Sequence, residues 1–81
     1  KRIGRDRFVR NVLIAIGNSG DSKLLPNVEE LLDDPSPLVR AMAVWALGRL
    51  SPGRAKALAA EKAKDETDPG VLAEWSGSAL D

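Results

Sequence analysis

With 81 residues the chain is long enough for one small domain, and it shows no membrane-length apolar run and no signal-peptide pattern, so we expect a soluble domain. Because it contains neither cysteine nor histidine, disulfides, thiolate-bound metals, imidazole ligands and the commonest catalytic base are excluded. Twelve basic and twelve acidic residues give zero net charge, but residues 1–20 and 39–64 are basic blocks and the rest is acidic, which predicts one positive and one negative side.

The first half of the chain predicts two helices. Asp6 is a candidate N-cap for a helix over residues 7–17 that ends at Gly17, where glycine can adopt the left-handed conformation. Asp21 is a candidate N-cap for a second helix that reaches about Asp33. A proline, Pro26, falls near the first turn of this second helix, and we expect it to bend the axis.

Three later dipeptides repeat one helix-starting device. A side-chain oxygen accepts the free amides of the first turn, and a proline occupies the first helical position, where no donor is needed. The dipeptides are Ser36-Pro37, Ser51-Pro52 and Asp68-Pro69. They predict helices over residues 37–49, 52–65 and 69–80.

Two ten-residue segments are near copies of each other. Residues 8–17 align with residues 39–48 after a shift of 31, and Gly17 then coincides with Gly48 at the end of the segment. A helical period of this length is typical of stacked hairpins, each of which buries its apolar face only against a neighbour. The sequence therefore predicts an all-α fold, a right-handed stack of antiparallel helical hairpins (a HEAT-like α-solenoid) with about five helices. Its units are a first hairpin over 6–34, a second over 36–65 and a terminal capping helix over 68–80.

The first helix is apolar over most of its circumference. Its main stripe consists of Phe8, Val12, Ala15 and Ile16, and further apolar residues widen it. A helix of this kind is usually sandwiched between neighbours. Since Lys1 stands where an initiator methionine would be, we expect one flank to pack on a preceding part of a longer protein.

Five basic residues near the start of the chain are candidate contacts for nucleic-acid phosphates. Phosphate binding needs several cations on one face, and arginine adds bidentate geometry and stacking on unpaired bases. A solvated charged segment and salt bridges to a missing domain are equally open. The candidates are Lys1, Arg2, Arg5, Arg7 and Arg10.

The other conspicuous residues favour structural roles. No third ligand converges on Glu29-Glu30 or Asp33-Asp34, so neither pair predicts a metal or acid–base site. Helical spacing predicts that Trp45 is partly buried between helices and that Trp75 fastens the last helix. Arg49, Arg54 and Lys56 are expected on solvated surface.

Residues 39–48 and the Ser19-Gly20-Asp21 turn resemble HEAT-like repeats of the phycobilisome-lyase type. A more specific resemblance, over residues 4–20, 32–40 (Leu-Asp-Asp-Pro-Ser-Pro-Leu-Val-Arg) and 43–50, is to the C-terminal repeat region of epoxyqueuosine reductase, a bacterial tRNA-modifying oxidoreductase. The resemblance implies a cytoplasmic, monomeric parent with cobalamin and two 4Fe-4S clusters in an N-terminal catalytic domain. It implies that this chain is a noncatalytic appendage without a cofactor, which helps to hold the tRNA anticodon arm.

In HEAT-type repeats an arginine after the valine commonly bonds acidic groups at the turn between repeats, which implies a structural ladder formed by Arg40, Asp21 and Asp34. Two other functions stay open: a module whose groove docks a partner protein, and a structural lid on the catalytic domain. Contact with several phosphates predicts an affinity that falls steeply with salt. Protein docking predicts a flat response, and a lid predicts that removing the N-terminal arginines leaves tRNA affinity unchanged.

Overall fold

The computed structural model describes the backbone of residues 2–80 and the side chains of residues 3–77. Over residues 2–80 it contains five α-helices and one short 3₁₀ turn, and no strand, so the predicted all-α solenoid is confirmed. The elements are α1 (Arg2–Ser19), the 3₁₀ turn (Ser22–Leu24), α2 (Leu25–Leu31), α3 (Pro37–Leu50), α4 (Pro52–Asp65) and α5 (Pro69–Leu80). None of the described helices combines the length and hydrophobicity needed to cross a bilayer.

The last three helices begin where the proline dipeptides predict. Each capping side chain accepts a hydrogen bond from an amide of the first turn, and each proline stands where its missing N–H costs nothing. The donor–acceptor distances are 3.5 Å from Val39 N to Ser36 Oγ, 3.3 Å from Arg54 N to Ser51 Oγ, and 3.1 Å from Val71 N to Asp68 Oδ2.

The bounds predicted for the first helix are wrong at both ends. α1 already includes Arg2, and Asp6 lies inside it, where its carboxylate accepts a bond from Arg5 instead of capping the helix. At the other end the helix continues past Gly17, and the left-handed residue of the turn is Gly20, with φ of 69°. Gly17 serves packing instead, because the ring of Trp45 lies against it.

The second helix is shorter than predicted. Asp21 does act as a cap, but it caps the 3₁₀ turn, where its Oδ1 accepts a bond from Lys23 N at 3.0 Å. The α-helix itself starts at Leu25, which places Pro26 in its first turn. A break into two short pieces thus replaces the expected bend, because proline is tolerated only where no amide has to donate.

α3 lies at the centre of the fold and contacts α1, α2, α4 and α5. The Cα atoms extend over 34 × 29 × 16 Å. The smallest extent fits two layers of helices, since packed helix axes lie about 8–10 Å apart. The fully or nearly buried core consists of Leu13, Val28, Leu32, Val39, Ala43, Val44, Ala46, Leu47, Ala55, Ala59, Val71 and Trp75.

The predicted apolar stripe of the first helix is largely exposed. Phe8 and Val12 expose 69% and 38% of their surfaces, and Ala15 is also exposed. The side chain that α1 buries completely is Leu13, with Ile16 packed beside it. Within the described residues α1 packs mainly on α3, which leaves this flank open. That a preceding part of a longer protein covers it stays a prediction.

Trp75 is 3% exposed and holds α5 against the core, as predicted. The next residues, Ser76 and Gly77, are exposed. The side chain of Ser78 lies outside the described residues. The division into units over 6–34, 36–65 and 68–80 stays a prediction.

Candidate nucleic-acid interface

Asp34 ties α1 to the start of α3. Its side chain is 5% exposed, and it accepts two bonds from Arg5, at 2.6 Å to Oδ1 and 3.0 Å to Oδ2. The Oδ2 atom also accepts a bond from Ser36 N at 3.0 Å. The carboxylates of Asp34 and, secondarily, Asp6 raise the pKa of Arg5 above its ordinary value. Arg5, a candidate phosphate contact, thus already has carboxylate partners.

Glu66 forms the corresponding link one repeat later. Arg40 donates to it from Nε at 2.9 Å and from Nη2 at 3.0 Å, and both side chains are mostly buried. Its Oε2 also accepts bonds from the amides of Asp68 at 2.9 Å and Thr67 at 3.1 Å. The bonds from Arg40 lower the pKa of Glu66 below its ordinary value, although burial opposes the shift.

Asp34 and Glu66 are therefore equivalent positions of the repeat. Each lies two residues before a capping residue and accepts that residue's amide. Arg40 meets Asp34 through its backbone, since Nη1 donates to the Asp34 carbonyl oxygen at 2.9 Å. Asp21 is placed elsewhere, at the cap of the 3₁₀ turn. Glu66 was not among the predicted residues, although its spacing of 32 residues from Asp34 is a signal that could have identified it.

Two further ion pairs join α4 to α2 and to the turn that follows α2. Arg54 donates to both carboxylate oxygens of Glu29, at 2.9 and 3.0 Å, and Lys62 donates to Asp33 at 2.9 Å. The pair lowers the pKa of Glu29. Arg54, which was expected on solvated surface, is thus paired, and the carboxylates of Glu29 and Asp33 each have a basic partner. These ion pairs therefore link α4 to α2 and to the turn that follows it.

Arg7 and Arg10 are the predicted phosphate contacts that have no carboxylate partner among the described side chains. Arg7 is exposed. Arg10 is half-buried; its Nη2 donates to Asn11 Oδ1 at 3.2 Å, and its buried Nε has no acceptor among the described residues. The side chains of Lys1 and Arg2 lie outside the described residues.

One side of α1 and the same side of α3 together form a continuous surface, which we call the α1–α3 face. Its residues follow the spacing i, i+4, i+7, i+11 on each helix, and the two sets are 31 residues apart. They are Arg7, Asn11, Ile14 and Asn18 on α1, and Leu38, Met42, Trp45 and Arg49 on α3.

A shallow groove of about 340 Å³ runs along the α1–α3 face. It is lined by Ile14, Asn18, Leu38, Ala41, Met42, Trp45 and, on its rim, Glu74. The guanidinium of Arg49 lies over the Trp45 ring, 5.7 Å from the centroid, within the range of a cation–π contact. Arg49 was expected on solvated surface. The shift of 31 residues superposes it on Asn18, which places it on the same side of the fold as Arg7.

The α1–α3 face is suited to binding. Arginines can hold phosphates, while a groove with an indole and a thioether can contact a base or another flat apolar group. Among the described residues, no group of three acidic side chains lies close enough together to hold a metal ion.

Comparisons with known proteins agree with the repeat architecture. A family model described as HEAT repeats matches residues 6–80. An epoxyqueuosine reductase of Bacillus subtilis is 39% identical over 67 residues, which are 78% of this chain and 17% of that protein. Epoxyqueuosine reductases of Bacillus cereus and Bacillus anthracis are 33% and 31% identical over 67 residues, 18% of each. The chain thus spans under a fifth of these relatives, and no solved structure matches it.

Proposed function

Because the chain belongs to the HEAT repeat family, we propose that it is a noncatalytic repeat domain of an epoxyqueuosine reductase that helps to position the anticodon arm of tRNA. The similarity to three proteins of that name supports the proposal. The reductase activity would belong to a longer, cytoplasmic and monomeric parent. Its cobalamin and two 4Fe-4S clusters would be held outside this chain, which has no cysteine to ligate a cluster.

The observation that carries the proposal is the α1–α3 face. Arg7 and Arg49 lie on this face with Trp45 and are free of carboxylate partners among the described side chains. The repeat register places Arg7 level with Leu38, so Arg49 lies about 16 Å further along the helix axis at 1.5 Å per residue. This separation allows contacts to more than one phosphate of an RNA backbone, with the groove between them.

The candidate phosphate contacts differ in whether a carboxylate already binds them. Arg7 and Arg10 are proposed to meet the RNA, together with Arg49. Arg5 is proposed to act mainly by fixing α1, because its guanidinium is shared between two carboxylates. Since the net charge is zero, long-range attraction is weak, and the local arrangement of arginines has to provide the affinity.

The test is the salt dependence of binding to an anticodon stem-loop, measured by fluorescence anisotropy for this chain. Arg7→Ala and Arg49→Ala are each expected to weaken binding and to reduce the slope of log K against log salt by about 0.7–0.9. Lys56→Ala is the matched control, because Lys56 is an exposed cation on α4.

A slope that neither arginine substitution changes would contradict the proposal. A flat salt response of the unaltered chain would favour the docking of a partner protein in the groove. If the parent protein binds tRNA equally well without Arg7 and Arg49, the domain is a structural lid.

A further inference from the structure

The outer face of α1, formed by Phe8, Val12 and Ala15, exposes positions that the next repeat buries completely. Shifted by 31 residues, these positions become Val39, Ala43 and Ala46, each 0% exposed, whereas Phe8 is 69% exposed. The α3 residues are covered because α1 and α3 pack side by side. The repeat therefore has a face that a preceding helix covers, and in α1 this face is open.

The other end of the stack is different. Superposing Pro69 on Pro37 places Ser76 of α5 at the position of Val44 in α3. Val44 is 1% exposed, whereas Ser76 is exposed and polar. Terminal repeats commonly carry a polar outer face, and Ser76 supplies a polar position there within the described part of α5. α1 has an apolar outer face, so the two ends of the array are not equivalent.

We propose that the outer face of α1 is covered by an α-helix from another part of a longer polypeptide, packed on α1 as α1 packs on α3. The contact would continue the existing α1–α3 interface by one more helix. The curated relatives supply the room for such a segment, since the matched part is only 17–18% of their length. This inference does not depend on RNA binding.

Charge indicates the chemistry of the docking helix. Helical spacing places Arg5 at the border of this face, three residues before Phe8, whereas Arg10 lies on the opposite side of α1. A helix with an apolar stripe and an acidic flank complements this surface.

A second copy of this chain fits less well. Contact between two α1 helices would bring their basic side chains together, which is repulsive. Contact between α1 of one copy and α5 of another would place the apolar outer face of α1 on a surface that carries the exposed, polar Ser76. The occupant is therefore assigned to the longer polypeptide and not to a homodimer.

The experiment compares Phe8→Ser in this chain and in the full gene product that carries it, by thermal unfolding without RNA. The matched control is Leu38→Ser, which removes an apolar side chain that is 44% exposed on a different face. In this chain both substitutions are expected to shift the melting temperature little. In the full product Phe8→Ser is expected to lower it by about 2–4 °C or more, or to prevent folding, and Leu38→Ser is not.

Sedimentation velocity of this chain over a wide concentration range supplies the second measurement, with a monomer expected. Equal, small shifts for both variants in the full product would overturn the proposal. Self-association of this chain that Phe8→Ser abolishes would also overturn it and assign the face to a second copy. Neither readout involves RNA, so a failure here leaves the proposed tRNA contact to its own test.

Discussion

Gly17 of α1 lies directly against the indole of Trp45 in α3. A Cβ atom built on Gly17 would come within 2.5 Å of Cζ3 of that ring and within 3.2 Å of Cε3. Contacts this short do not occur, so a side chain at Gly17 would force the indole to shift or the two helices to separate. The absence of a side chain at Gly17 therefore sets how closely α1 and α3 approach.

Gly17→Ala is expected to destabilise the fold, although alanine is the better helix former. The clash with Trp45 costs about 1–3 kcal/mol, as overpacking usually does. The gain in helix propensity offsets about 1 kcal/mol of that cost. A lower free energy of unfolding in urea, measured by circular dichroism, is the expected result.

Gly4→Ala provides the matched control on the same helix. A Cβ at Gly4 meets nothing within 4 Å, so the substitution should stabilise α1 by up to about 1 kcal/mol. If both variants were equally stable, the close approach at Trp45 would not constrain the packing.

Arg40→Lys is expected to destabilise the fold more than Arg54→Lys. Arg40 bonds both oxygens of Glu66 and the carbonyl oxygens of Asp34 and Pro35, a set that a single ammonium group cannot reproduce. Leaving a carboxylate that is 9% exposed poorly paired costs about 1.5–3 kcal/mol. Urea unfolding of the two variants measures the difference, and equal losses would contradict the structural role assigned to Arg40.

Acid should remove part of the stability through Glu66. Arg40 lowers the folded-state pKa of Glu66, so the stabilisation is present above the unfolded pKa of about 4.5 and is lost as the pH falls through the lower folded value. Melting temperatures from neutral pH to about pH 3 should therefore fall less steeply below pH 4.5 in Glu66→Gln than in the unaltered chain. Glu29→Gln, at the more exposed pair with Arg54, should change this slope less. Identical slopes in all three proteins would show that neither pair controls the acid response.

Local signals predicted the fold well where one residue type has one physical role. A serine or aspartate before a proline caps a helix through its own side-chain oxygen and needs no distant partner. The starts of α3, α4 and α5 could therefore be predicted from the sequence. Glycine is ambiguous, because it can end a helix or admit a neighbour. Gly17 admits the ring of Trp45 from the neighbouring helix, whereas Gly20 adopts the left-handed conformation that ends α1.

The candidate site was harder to predict because contacts between residues far apart in sequence determine which arginines are paired with carboxylates and which are not. Arg5 and Arg7 are equivalent by composition, yet only Arg5 lies within reach of Asp34, 29 residues away. In the same way, Arg40 binds Glu66, 26 residues away in the connection between α4 and α5. The exposure of Phe8 depends on whether a helix precedes α1, which spacing within the helix does not reveal.

The two tryptophans allow RNA contact to be located by fluorescence. Trp75 is 3% exposed in the core, whereas Trp45 is only partly buried and lines the groove of the α1–α3 face. In a Trp75→Phe variant, the remaining emission comes from Trp45 and should change in intensity when an anticodon stem-loop binds, because a base or phosphate then alters its surroundings. A Trp45→Phe variant, which reports only Trp75, should show little change under the same titration. A signal from Trp75 without one from Trp45 would place the RNA away from this groove and contradict the assignment of the α1–α3 face.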